Sequence, residues 1–208
     1  MLIFAGVALF VIWRLISVLG TRTGHEQRRD VNGAPRTVRA SETRAEAAAP
    51  ATVPAKSKPV SPEAAPLQAA DPAFDETAYL RGARAAYEMI VEAFAAGDLK
   101  SIRRFLSQSV YDAFRAAVAD REARGHQTDL KFVGLDKAAI VASEASEGAL
   151  TAVTDFASNQ VRVTRDREGN IVDGDPSRID LVRDRWTFSK KLGASDPNWI
   201  LVATGGAS

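Results

Sequence analysis

The sequence predicts an α+β fold, with helices first and strands second, carried behind an apolar N-terminal segment and a long spacer. Three observations predict it. Apolar residues recur at spacings of three and four from Phe74 to Gly125, the period changes to two after Gly125, and the stretch from Thr21 to Pro72 holds no aromatic residue and seven of the nine prolines. The 208 residues carry 27 Lys or Arg against 26 Asp or Glu, so no global field points to nucleic acid, and 46% hydrophobic residues suffice for a core. There is no cysteine, which excludes disulfides, thiolate nucleophiles, Fe–S clusters and cysteine-containing zinc sites.

Residues 1–20 read as a transmembrane anchor in contact with the lipid bilayer. Leu2 to Leu19 include twelve Leu, Ile, Val or Phe, each favouring insertion by about 0.3–0.6 kcal/mol against a cost of about 2.5–3.5 kcal/mol for a central arginine. Eighteen helical residues rise roughly 27 Å, close to the hydrocarbon thickness, and Arg14 lies near the end where its side chain can snorkel. A secretion signal predicts a basic n-region and a small-residue cleavage site, and "MLIFAGV" and "GTRTG" offer neither. Arg14, Arg22, Arg28 and Arg29 cluster on the C-terminal flank, so the positive-inside rule places the rest of the chain in the cytoplasm, single-pass.

Residues 21–73 read as a disordered linker. More than half of residues 40–72 are alanine or proline, a composition that favours an extended spacer over a packed core. Its first half is basic, with eight Lys or Arg against four Asp or Glu between Gly20 and Pro59, which suits anionic lipid. No aromatics are interleaved with these arginines, and no nucleic-acid partner is expected.

In "FDETAYLRGARAAYEMIVEAFAAGD" the apolar positions Tyr79, Ala83, Tyr87, Ile90 and Phe94 define an amphipathic helix, with Asp75 as N-cap and Gly97 as its end. Asp98 caps a short second helix, "LKSIRRFL". Ser109 opens a third, which buries Val110, Phe114 and Val118 and stops at Gly125. Strands follow in "TDLKFVGL", "KAAIVASEA", "LTAVTDFASNQVRVTRD", "RIDLVRDRWTFSKK" and "NWILVAT", with turns at "SEG", "REGN" and "DGDP", giving four to six antiparallel strands in sequential order. Trp186 and Phe188 share one face of their strand and are expected to meet the helices together with Ile200 and Val202 or their neighbours. The folded domain is thus placed at 74–204, with 205–208 as a flexible tail.

The stretches "YLRGARAAYEMIVEAFAAGDLKSIRRFLSQSVYDAF", "FVGLDKAAI" and "VRDRWTFSKKLGASDPNWILVAT" resemble the Tim44-like domain family, which includes TimA-type adaptors of alphaproteobacteria and the mitochondrial inner-membrane presequence-translocase adaptor. The resemblance spans about residues 74–204. It implies a nuclear-transport-factor-two-like cone, three helices packed on a curved antiparallel sheet. It also implies a setting at the bacterial inner membrane and a protein partner of translocase, chaperone or membrane-protein type. The long charged helical region that precedes the domain in mitochondrial relatives is replaced here by the apolar segment and the linker, so chaperone recruitment does not carry over residue by residue.

The expected function is that of a membrane-anchored, non-enzymatic adaptor, without cofactor or metal. Its candidate apolar pocket or groove comprises Tyr87, Ile90, Phe94, Phe132, Trp186 and Phe188. The alternative is an apolar ligand, such as lipid, held within the cone. The superfamily fold that the resemblance implies also hosts enzymes that use an acid and a tyrosine inside the cone, for which Asp155, Asp184 and Tyr87 are the candidates, although fold analogy alone cannot assign catalysis. His126 in "ARGHQTD" reads as solvated, His25 falls in the linker, and "GNIVDGDP" has turn spacing without a P-loop lysine.

Overall fold

The computed structural model describes residues 60–194, 196 and 198–207. The expected transmembrane segment, the four topology arginines and the linker up to residue 59 lie outside the described residues. No helix among the described residues is long and apolar enough to cross a membrane.

The first element corrects the expected linker boundary. Pro62–Ala64 forms a 3-10 turn that runs into α1 (Ala65–Ala70). Val60, Ala64, Leu67 and Ala70 make a stripe at spacings of four and three, in which Ala64 and Leu67 are fully buried. Prolines that look like breakers sit at the first or second helical positions, where a missing N–H costs nothing. Residues 60–73 therefore belong to the fold rather than to a disordered spacer.

Helix α2 (Glu76–Ala96) begins where the Asp75 side chain accepts a bond from the Ala78 N–H at 3.0 Å. It ends at Gly97, whose φ of 78° is the left-handed conformation glycine adopts at low cost, letting its N–H reach the carbonyls of Ala93 and Phe94. The expected second helix is split. Asp98 caps α3 (Leu99–Ile102), a 3-10 turn covers Arg103–Phe105, and Leu106 is extended because it forms a parallel bridge with Leu201. Helix α4 (Gln108–Ala123) is capped by Ser107, not Ser109. The Ser107 Oγ accepts from the Val110 N–H at 3.3 Å, while its own N–H donates to the Leu201 carbonyl.

Strand β1 (Gln127–Ser146) unites two expected strands, and three register shifts, between Phe132 and Gly134, Leu135 and Lys137, and Ile140 and Ala142, bend it. It turns through Glu147 and Gly148, both at positive φ as a two-residue hairpin requires, into β2 (Ala149–Arg165). Strand β3 (Ile171–Gly174) follows the "REGN" turn, and β4 (Asp180–Lys191) and β5 (Ile200–Gly206) complete a five-stranded antiparallel sheet. Pairing is not fully sequential. Residues 149–160 of β2 pair with β4 and residues 163–165 with β3, because β2 is long enough to serve both. Gly205 and Gly206 lie within β5, so the tail is shorter than expected.

Trp186, Phe188 and Leu201 are buried beneath the helices. Leu201, the neighbour of the named Ile200 and Val202, takes the core position at the β5 bulge. The described fold is the expected α+β arrangement of helices on one face of a bent antiparallel sheet.

Candidate functional site

Two tyrosines fix how α2 lies on the sheet. Tyr79 and Tyr87 are eight residues apart, roughly 12 Å along a helix. Thr154 and Ser158 on β2 are four residues apart, roughly 13 Å along a strand. The Tyr79 hydroxyl meets Thr154 Oγ1 at 2.7 Å and the Tyr87 hydroxyl meets Ser158 Oγ at 3.0 Å, so α2 runs beside β2 in the same direction. Both phenols gain a polar partner inside an otherwise apolar layer, as buried tyrosines require.

Tyr87 is the centre of the interior. Its hydroxyl donates to Asp184 Oδ2 at 2.7 Å and lies 3.3 Å from Gln160 Nε2, which also donates to Ser158 Oγ at 2.8 Å. Burial, reinforced by the Asp184 carboxylate, pushes the Tyr87 phenol well above its ordinary range, so it stays protonated as a donor. Burial likewise raises Tyr79 against the smaller opposing effect of its bond to Thr154. The Tyr87 ring stacks on Phe156 at 4.4 Å and meets Trp186 at 4.7 Å and Phe132 at 6.1 Å. These rings occupy the space between helix and sheet by touching one another.

The sequence-derived site residues therefore divide. Tyr87, Phe132 and Trp186 form one cluster, Phe188 joins it through Trp186 at 6.2 Å, and Ile90 is buried one turn further along α2. Phe94 stands apart. Only half-buried, it packs on Phe114 of α4 at 4.6 Å, with the Arg121 guanidinium 5.9 Å from its ring and donating to its carbonyl. Of the candidate acids, Asp184 does meet Tyr87. Asp155 lies on the other face, where it receives two bonds from Arg185, its direct partner across β2 and β4, at 2.6 and 2.8 Å.

Thr154, Phe156, Ser158 and Gln160 were not singled out from the sequence, although the period-two alternation of "TDFASNQ" places all four on one face. A cleft of about 270 Å³ lies between the end of α2 and the start of β1, lined by Glu92, Ala95, Ala96 and residues 127–130. Among the described residues, no group of three His, Cys, Asp or Glu is placed to hold a metal ion.

The architecture and this interior define an α+β domain of helices packed on an antiparallel sheet, its inner polar groups bonded to one another. A family profile described as "Tim44-like domain" matches residues 63–206, and the chain belongs to the Tim44-like domain family. Among solved structures, it is similar to the intermembrane space region of the chloroplast protein ARC6, at 11% identity and a TM-score of 0.47, over 65% of this chain and 98% of that one. It is also similar to an NTF2-like protein of unknown function in nutrient uptake from Rhodospirillum rubrum, at 18% identity and a TM-score of 0.30, over 64% of this chain and 100% of that one. No curated protein matches the chain.

Proposed function

We propose that this chain is a non-enzymatic adaptor tethered to a bacterial inner membrane, with its Tim44-like domain in the cytoplasm. There the domain binds a protein partner of translocase, chaperone or membrane-protein type. The observation that carries the reading is family membership across residues 63–206, since Tim44-like domains act in related proteins as membrane-associated adaptors. Residues 1–20 supply the span, and Arg14, Arg22, Arg28 and Arg29 its orientation. The basic first half of the linker adds attraction to anionic lipid. Anchoring confines the domain to the bilayer surface, so a weak contact with a partner there becomes effective.

The Tyr87–Asp184 pair supports a structural rather than a catalytic interior. The phenol is held protonated, is fully buried, and has its hydroxyl engaged by Asp184, Ser158 and Gln160. A general acid or base needs a pKa near the working pH, and burial moves this one away from it.

The test is affinity capture from detergent extracts, comparing the full chain with a chain lacking residues 1–59. The full chain should fractionate with membranes and enrich a membrane or chaperone protein, whereas the shortened chain should be found off the membrane. Enrichment of no protein by either would sink the adaptor reading. A reporter fused after Ser208 that is active only when exported would reverse the orientation.

A further inference from the structure

Helix α2 is shorter than the sheet it covers. Matching Tyr79 to Thr154 and Tyr87 to Ser158 puts its first residue roughly level with position 153 of β2. The hairpin end of the inner face, with Ile140, Leu150 and Ala152 all buried, lies at or beyond that helix end. What packs there is the segment Val60–Ala70, against β1 and β2, with Ala64 and Leu67 fully buried.

This cover is built differently from the other helices. Asp75, Asp98 and Ser107 cap α2, α3 and α4 through their side chains, but neither the 3-10 turn nor α1 has a side-chain cap. Instead the segment is fastened at its beginning. The Ser61 N–H and Oγ both donate to the Glu76 carboxylate, at 2.7 and 2.8 Å, and the Ser143 hydroxyl donates to the Glu63 carbonyl. Glu76 belongs to α2, so a carboxylate of the permanent layer receives the leading donors of a short apolar-striped helix. The side chains beneath are small or branched, and Ile140, Leu150 and Ala152 share one buried cluster with Ala64 and Leu67.

We propose that Val60–Ala70 is a displaceable plug, and that the groove beneath it takes a short helical segment of a partner protein bearing the same apolar stripe. Glu76 receives the N–H donors at the start of that segment. The identity of the partner rests on the adaptor reading; the groove rests on the plug alone. The plug directly follows the residues that lead back to the expected anchor, so tension along that path pulls at Ser61, the first fastening. Release exposes the groove at the membrane, where the partner is found.

The chain has no cysteine, so Glu63→Cys with Ser143→Cys introduces one thiol pair where the two residues meet, and a short bis-maleimide, which alkylates both thiols, locks the plug. The probe is a fluorescent peptide with the sequence of residues 60–71, titrated into the full chain in detergent, with a scrambled peptide as control. A plug closed in about ninety-nine molecules of a hundred weakens apparent binding about a hundredfold relative to a released groove. The Leu67→Asp chain should therefore bind the peptide about a hundredfold more tightly than the native chain, and the locked chain should not bind it. Adding Glu76→Ala to Leu67→Asp should weaken that binding several-fold. Equal binding by locked and released chains, or none by a Leu67→Asp chain that still melts cooperatively, overturns the proposal. Loss of cooperative melting in Leu67→Asp also overturns it, because a displaceable plug leaves a folded domain behind. No translocase, chaperone or membrane is present in this titration, so failure of capture and failure of the plug remain distinguishable.

Discussion

At Tyr87, one hydroxyl holds together side chains from two strands and the long helix. Replacing it with phenylalanine keeps the ring stack on Phe156 but strips Ser158 and Gln160, both buried, of a partner, and removes the donor to Asp184. Tyr87→Phe should cost about 1–3 kcal/mol, read as a lower urea midpoint with unchanged slope. Tyr79→Phe, which releases only Thr154, should cost less, about 1 kcal/mol. The same phenols set a pH dependence. Their folded pKa values lie above the unfolded value of about 10, so stability is unaffected below that pH and falls as pH rises above it, because the unfolded chain then gives up protons the folded one retains. The alkaline fall should be shallower in Tyr87→Phe, and an equal slope in both proteins would contradict it. The two tyrosines were visible in the sequence as members of an apolar helix face, and Trp186 and Phe188 as members of a strand face. Their hydrogen-bond partners were not, since a serine or threonine on an inward-facing strand position carries no mark of the hydroxyl it will meet.

Among the elements, those with strong periodicity and terminal chemistry were legible. Helix α2 starts and stops where Asp75 and Gly97 say it should, and Asp75→Ala should lower stability by about 1 kcal/mol, measurable as a lower melting temperature. The misreadings have tertiary causes. Ser107 takes the cap from Ser109 because its own N–H is fixed to Leu201 of β5, and Leu106 leaves the helix to bridge the same strand. Two expected strands are one because a bulge looks like a break in alternation when seen in one dimension, whereas in the sheet it only bends β1. Segment 60–70 was the largest omission. Its alanines and prolines carry the composition of a spacer, and only the uncovered end of a longer sheet makes Ala64 and Leu67 worth burying.

For the whole molecule, this moves the edge of the folded unit from residue 74 to residue 60, with a measurable consequence. A chain starting at residue 60 keeps Ala64, Leu67, and the bonds of Ser61 to Glu76 and of Ser143 to the Glu63 carbonyl. A chain starting at residue 73 loses them all and bares the hairpin end of the inner face. Losing a fully buried leucine costs about 2–5 kcal/mol, and the severed hydrogen bonds add to this, partly offset by rehydration of Glu76. In a domain of this size each kcal/mol moves the melting temperature by roughly 3–5 °C, so the shorter chain should melt on the order of 10 °C lower. It should also bind a hydrophobic dye, which the longer chain should not, because the exposed apolar surface is contiguous rather than scattered. Equal melting temperatures would mean that the segment rests on the sheet without stabilising it. The plug reading needs an intermediate result: enough stabilisation to keep the groove closed in a free molecule, and little enough that the domain stays folded when a partner helix takes its place.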